Sequence, residues 1–161
     1  MTAEEFKSTV CVHLDAMYRV ALALCGDSAD AADAVQNAAM RLWEKRGRLD
    51  SVANMQAYCV GAARNAALTL IARRHPADSL EAASPPPDFS TPESLLETAD
   101  NARRFASLMA TLPQRQRTVL TLRDMEGLEM NEIEHLTGLS AANIRVLLCR
   151  ARATIRKYFT K

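Results

Sequence analysis

The feature that most constrains this chain is an interruption. Pro76 to Ser90 contains Pro85-Pro86-Pro87, several Ser and Asp residues and little apolar content. Proline locks φ and lacks the backbone donor a helix needs, so this stretch reads as an extended, flexible linker. On either side the sequence is dominated by Ala, Leu, Arg and Met, all good helix formers, and the 161 residues include only five glycines. The expectation is an all-α protein of two small helical domains, the first over 1–76, the linker over 77–91 and the second over 92–161. Hydrophobic residues make up 48% of the chain, enough to build a core in each half.

Local signals place the helices. Thr2 with Glu5 forms a capping-box pattern, and an apolar helical pattern runs to Leu24 before Gly26. Asp27 or Ser28 can cap a second helix, about Ala29 to Arg46, ended by Gly47. Asn54 can cap a third, reaching about Arg74, because His75 precedes Pro76 and is pushed out of the α region. Beyond the linker, Thr91-Pro92 is a cap followed by proline at the first helical position, starting a helix to about Thr111. Leu112-Pro113 starts another that ends near Gly127. A short helix over about Asn131 to Thr137 stops at Gly138, and Ser140 caps a last helix to about Tyr158. Short helix, glycine turn, longer basic helix is the order of a helix-turn-helix.

Charge is distributed unevenly. Net charge is only +1, but Ser140 to Lys161 carries Arg145, Arg150, Arg152, Arg156, Lys157 and Lys161 and no acid. A last helix of one sign is a candidate phosphate-facing surface. Ile144, Leu148, Ala151 and Ile155 share one face of that helix, which should pack on Ile133 and Leu136. Ala142, Asn143, Val146, Cys149, Arg150 and Ala153 lie on the other side, with Arg145 and Arg152 at its flank. The N-terminal turns of a recognition helix meet base edges, where Asn suits adenine and Arg suits guanine. Asn143 and Arg145 are therefore candidate base readers, and Arg150, Arg152 and Arg156 candidate phosphate contacts.

In the first half, Ala32, Val35, Ala39 and Leu42 can form a buried stripe on the second helix. Asp33, Gln36 and Met40 form an adjacent mixed stripe suited to docking another protein. The third helix carries Arg64, Asn65, Arg73 and Arg74 outside the apolar positions Tyr58, Ala62 and Leu68. The short polar loop Asp50 to Asn54 precedes it. A basic helix beside a polar loop can hold an unpaired base and its phosphates.

Other classes find little support. Cys11, Cys25, Cys59 and Cys149 have no CxxC spacing and sit in helical apolar patterns, as reduced core residues of a cytoplasmic protein do. His13, His75 and His135 are scattered, so no metal site is expected. No nucleophile–base pair and no glycine-rich phosphate loop appears, which argues against an enzyme, a cofactor or a small-molecule substrate. No run of about 18 apolar residues suggests membrane insertion.

These residues resemble a known family. Tyr18 to Trp43 reads YRVALALCGDSADAADAVQNAAMRLW and Met55 to Arg74 reads MQAYCVGAARNAALTLIARR. With these runs, Tyr18 to Pro76 resembles region 2 of the extracytoplasmic-function (group 4) sigma factors of the sigma-70 family. Leu108 to Tyr158, with the run LPQRQRTVLTLRDMEGLEMNEIEHLTGLSAANIRVLLCRARATIRKY, resembles region 4. The Asn143-Ile-Arg-Val and Arg150-Ala-Arg run looks like versions common in Bacteroidetes.

The resemblance implies a region 2 helical bundle and a region 4 helix-turn-helix that together bind core RNA polymerase and direct it to a promoter. Asp33, Gln36, Asn37, Met40, Arg41 and Trp43 would meet the β′ clamp helices. The loop Asp50 to Gln56 and the third helix would recognise and melt the minus-ten element, with Asn54, Gln56, Arg64, Asn65, Arg73 and Arg74 as contacts. Region 4 would bind the β flap and read the minus-thirty-five element through Arg115, Arg117, Ser140, Ala142, Asn143, Arg145, Arg150 and Arg152. An anti-sigma factor is implied as a further partner.

The sequence departs from the family at Asn37, where an acid is usual, and at Ala39, where a large aromatic is usual. Thr69 and Ala72 replace typical Asp and Arg. Glu134 replaces a small Ala at the helix-helix contact of the helix-turn-helix, and Leu147 stands where polar residues are common. Two other readings compete: a DNA-binding regulator using only the helix-turn-helix, and an all-helical interaction protein with degenerate DNA surfaces. The first has no need of the region-2-like half, and the second predicts no salt-dependent DNA binding.

Overall fold

The computed structural model describes residues 1–74, 104–105 and 107–159. The proline-rich linker and the helix start expected at Thr91-Pro92 lie outside them. Every regular element among the described residues is helical.

Helix α1 spans Ala3–Thr9 and α2 spans Leu14–Cys25. The Thr2 hydroxyl accepts from the Glu5 amide at 3.2 Å, and the Glu5 carboxylate accepts from the Thr2 amide at 3.2 Å, so the capping box forms. The single helix expected as far as Leu24 is broken by a 3-10 turn at Cys11–His13. Thr9 donates its hydroxyl back to the Glu5 carbonyl at 2.6 Å, which competes with the helical ladder and favours a bend. The bend delivers Val10, fully buried, into the core.

The 23-residue stretch Ala3–Cys25 is long and apolar enough to cross a membrane by length and mean hydropathy alone, although Glu4, Glu5, Lys7, Asp15 and Arg19 interrupt it. It is bent within the domain, however, and Val10, Met17, Val20, Ala21 and Leu24 are buried against the neighbouring helices.

Gly26 ends α2 at φ 71°, a conformation that strains residues bearing a Cβ. Helix α3 spans Ser28–Glu44, capped by the Asp27 carboxylate, which accepts from Ala29 N at 2.7 Å. It stops short of Gly47. Arg46 stacks its guanidinium 3.9 Å from the Trp43 ring centroid and donates to the Trp43 carbonyl at 2.9 Å, closing the helix end. A 3-10 turn at Arg46–Ser51 leads to α4, Met55–Arg74, which Asn54 caps as expected.

Helices α2, α3 and α4 pack on one another to form the first core. Its contact layer is largely alanine: Ala21, Ala31, Ala34, Ala38, Ala63 and Ala67 are all at most 1% exposed. Small side chains bring the backbones close together. The buried stripe of α3 is thus Ala31, Ala34, Ala38 and Leu42, one position away from the expected Ala32, Val35 and Ala39. On α4 the buried face is Ala57, Val60, Ala63 and Ala67, while Tyr58 is exposed and Ala62 and Leu68 are half-buried. In so alanine-rich a sequence several helical faces look equally apolar.

In the second half, α5 covers residues 107–111 and α6 spans Gln114–Leu120. A widened π turn follows at Thr121–Met125, and Gly127 turns the chain at φ 70°. Helix α7, Met130–Thr137, carries a second capping box from Glu129 and Glu132 and ends at Gly138. Helix α8 spans Ala141–Phe159, with the Ser140 hydroxyl accepting from Asn143 N at 3.2 Å. Ile133, Ile144, Leu148 and Ala151 close the core between α7 and α8, as their spacing suggests. Leu136 is placed differently: it lies over Gly61 of α4, in the other half of the molecule.

Candidate polymerase and nucleic-acid interfaces

Three surfaces carry the candidate residues. The first is the outer side of α3. Burying the alanine stripe turns Asp33, Gln36, Asn37, Met40, Arg41 and Trp43 outward, all exposed. Met40 is 55% and Trp43 38% exposed, so two large apolar groups sit among polar ones on this face. Trp43 is held by an edge-on contact with Phe6, ring centroids 5.0 Å apart, and by Arg46 above it. A surface Trp fixed in this way is a low-entropy anchor for a protein partner.

The second surface is α8. Ser140, Ala142, Asn143, Arg145, Val146, Cys149, Arg150 and Arg152 are all exposed along its outer side, which carries no acid. Arg123, Arg145, Arg152 and Arg156 line a cleft of about 400 Å³ beside Met130, Leu148 and Cys149. Arg152 is oriented by Asp124, with Nε 2.9 Å from Oδ2. Arg123 was not foreseen from the sequence; it donates to the Leu128 carbonyl at 2.7 Å and so holds its place at the cleft wall. Cys149 is exposed, unlike the core cysteine expected there.

The two unusual helix-turn-helix residues are accommodated. Glu134 is half-buried rather than enclosed, which avoids the full cost of burying a carboxylate. Leu147 packs against the core and is not displayed on the outer side.

The third surface is the start and outer side of α4, and here α7 and the π turn cover it. Asn54 donates to Glu132 at 2.8 Å, and Gln56 donates to the Glu126 carbonyl at 3.1 Å. Arg64 donates to the Leu136 carbonyl and to Asn65, each at 3.0 Å, while its Nε is buried without a partner. Burial pulls the Arg64 pKa below its usual value. Arg74 pairs with Asp30 of α3, and Arg73 is exposed.

Arg115 is exposed, but Arg117 is only 1% exposed, and its Nε finds no partner. Burial lowers its pKa as well, the nearby Cys25 opposing this. In this conformation Arg117 therefore faces the interior and presents nothing to a DNA backbone. The reason is its position on α6, which packs against α2.

Comparison with known proteins bears on these surfaces. Residues 10–76 match the family described as Sigma-70 region 2, and residues 102–155 match Sigma-70, region 4. The chain is 33% identical over 144 residues to the probable RNA polymerase sigma factor RfaY of Xanthomonas campestris pv. campestris. That match covers 85% of this chain and only 36% of the relative. It is 30% identical over 160 residues to the RNA polymerase sigma-E factor of Streptomyces avermitilis, covering 95% of this chain and 84% of that protein. Its fold is similar to that of the sigma factor RpoE of Bartonella quintana, solved in complex with the anti-sigma factor NepR. The TM-score is 0.77 at 20% identity, over 98% of each chain. With both regions matched in order and a relative aligned over 84% of its length, this chain belongs to the sigma-70 family of RNA polymerase sigma factors, in its extracytoplasmic-function type.

Proposed function

We propose that the chain acts as an alternative sigma factor, a non-enzymatic subunit that binds core RNA polymerase and directs it to a two-element promoter. The observation that carries this reading is the exposed outer side of α8, free of acidic residues, in a protein that also presents an anchored Trp43 on α3. A DNA-binding regulator would use the former and has no need of the latter.

The domains have separate tasks. Over 1–76, region 2 docks its α3 face, Asp33 to Trp43, on the β′ clamp helices. Asn54, Gln56, Arg64, Asn65, Arg73 and Arg74 recognise and melt the minus-ten element. Flipping a base costs a few kcal/mol, which capture in a polar pocket must offset. The linker, 77–91, separates region 2 from region 4, 92–161, which meets the β flap and reads the minus-thirty-five element as duplex. Asn143 and Arg145 are the base readers; Arg115, Arg150 and Arg152 approach the backbone, and Arg117 can do so only if its packing on α2 is released. Tethering two weak DNA contacts through one polymerase raises their effective concentration. An anti-sigma partner is supported by the Bartonella quintana structure, whose sigma factor is bound to one. The setting is the cytoplasm, where polymerase and promoter meet. The Bacteroidetes-like character rests on the Asn143 to Arg152 run alone.

Run-off transcription with purified core polymerase on a pool of promoter fragments tests the reading. Initiation that depends on this protein, at a shared two-element sequence, supports it; absence of both initiation and core binding rejects it. In the same assay Arg145→Ala relaxes upstream-element specificity by about 1–3 kcal/mol. Equal loss on every promoter would remove Arg145 from base reading.

A further inference from the structure

Helix α3 ends in a small clamp around one aromatic ring. Trp43, the single tryptophan of the chain, lies in the last turn and is 38% exposed. Helix ends fray, so a side chain in this position is ordinarily mobile. Here two residues restrain it. The Phe6 ring of α1, itself buried, meets the indole edge-on, with 85° between the planes and centroids 5.0 Å apart. The Arg46 guanidinium lies 3.9 Å from the indole centroid and donates to the Trp43 carbonyl at 2.9 Å. The cation that covers the ring is thus fastened to the backbone of the same residue. Both contacts are attractive through the ring quadrupole.

Phe6 stands outside the region 2 match, which covers residues 10–76. Helix α1 is nonetheless fixed to the domain. The Thr2–Glu5 capping box holds its first turn, and Val10, fully buried, holds the chain just after its last. Phe6 therefore braces the indole from a defined place.

We infer that Phe6 and Arg46 are positioning residues of the polymerase-docking face: they hold the Trp43 indole in its docking orientation and make α1 a functional part of that face. The inference rests on the proposed docking of α3 on core polymerase. A partner that must immobilise a mobile side chain binds more weakly for doing so. A ring already fixed in the free chain avoids that loss. It also forms one apolar surface with Met40, three residues earlier on the same side of the helix and 55% exposed.

The test uses the full chain and the fluorescence of Trp43, to which no other tryptophan contributes. Time-resolved anisotropy of the free chain measures motion of the ring. A biosensor carrying the immobilised chain measures affinity for purified core polymerase. Arg46→Ala removes the stacked cation, and Arg46→Lys keeps the charge and a donor but not the planar stack. Phe6→Leu removes the edge-on contact and keeps an apolar side chain in the core. Arg46→Ala is also made in a Trp43→Ala chain, which completes a double-mutant cycle. Urea unfolding followed by far-UV circular dichroism reports the fold. Should Phe6→Leu unfold the chain, the Arg46 variants, at a half-buried site, carry the test.

The clamp predicts more fast depolarisation in Arg46→Ala and Phe6→Leu, with Kd for core polymerase raised about two- to tenfold. Arg46→Lys falls between these and wild type, and Arg46→Ala has no further effect once Trp43 is gone. Unchanged depolarisation in Arg46→Ala would overturn the clamp. Faster ring motion at unchanged affinity would sink the positioning role. An undiminished loss on adding Arg46→Ala to Trp43→Ala would make Arg46 a direct contact, not one that acts through the ring. The docking reading is decided by a different result. A wild-type chain that does not bind core polymerase rejects docking and positioning together, while the anisotropy still shows whether the ring is held.

Discussion

The two halves of this molecule bury different things. Region 2 is closed by alanines: α2, α3 and α4 meet through Ala21, Ala31, Ala34, Ala38, Ala63 and Ala67, with Met17, Leu24 and Val60 filling the space between. The buried polar residues among those described, Gln114, Arg117, Thr118, Thr121 and Glu126, all belong to region 4, within 13 consecutive positions on α6 and the turn after it. A dry, close-packed core tolerates no change of volume, whereas a polar layer gives up protein partners for water. Region 2 is thus closed by a dry, small-residue layer, whereas α6 and the turn after it set buried polar groups beside Val119, Leu120 and Leu122, which join the same core.

The comparison breaks most visibly if a region 2 core truncation is harmless. Leu24 is fully buried in α2. Leu24→Ala is expected to cost about 2–5 kcal/mol, the transfer term plus a cavity that rigid helices cannot close. Urea unfolding followed by circular dichroism measures it. A loss below about 1 kcal/mol would mean that this core relaxes as easily as a surface.

Arg117 sharpens the other side. Its guanidinium is buried without an ion-pair partner among the described residues, and its Nε is unsatisfied. Replacing a buried charge with an apolar side chain of similar length is often neutral or stabilising by about 1–4 kcal/mol. Arg117→Met should therefore raise the urea midpoint or leave it unchanged. A loss of similar size would show that the guanidinium is an essential tie between α6 and α2, and that the polar layer holds as firmly as the alanine one.

A pH experiment probes the region 2 side through its buried cysteines. Burial pushes Cys25 from the usual thiol value of 9.0 up to about 12, and Cys59 up to about 11. A folded-state pKa above the unfolded one means the native chain holds its proton longer. No stability is lost below about pH 9; above it the unfolded thiols ionise first, and stability falls as pH rises through 9 towards 12. Thermal melts across that range should show the decline, reduced in Cys25→Ala. A flat profile would mean these thiols are not desolvated.

Legibility followed the physics of each signal. Caps and stops were readable because they depend on single residues: Thr2 with Glu5, Asp27, Asn54, Gly26, Gly138 and Ser140 all do locally what their chemistry dictates. The apolar face of α8 was readable because Ile144 and Leu148 are large. The faces of α3 and α4 were not, since alanine is neutral enough to sit inside or outside. The break at Cys11–His13 depends on a Thr9 hydroxyl turning back on its own helix. The seam between the halves was invisible in the sequence: Arg19 and Glu126 lie 107 positions apart, in two separate motifs that give no sign of their pairing. Leu136 belonged on periodicity to the α8 contact, and only the three-dimensional arrangement places it on Gly61.

The smallest expected effect lies on the outer side of region 4, where Arg152 pairs with Asp124. Both side chains are substantially exposed, at 44% and 38%, so the pair is screened by water and salt. Asp124→Ala should change stability by less than about 1 kcal/mol. Its effect on DNA is opposite in sign and more informative. Freed from the carboxylate, Arg152 becomes available to a phosphate, and each added phosphate contact steepens the salt dependence of duplex binding by about one. Titrations of region 4 target duplex over a range of salt, with wild-type and Asp124→Ala chains, would show the steeper slope and tighter low-salt binding. If the slope is unchanged, Arg152 already contacts phosphate while paired, and Asp124 serves to aim the guanidinium into the arginine-lined cleft rather than to restrain it. A shallower slope would instead place Arg152 outside the DNA interface and confine its role to tying the π turn to α8.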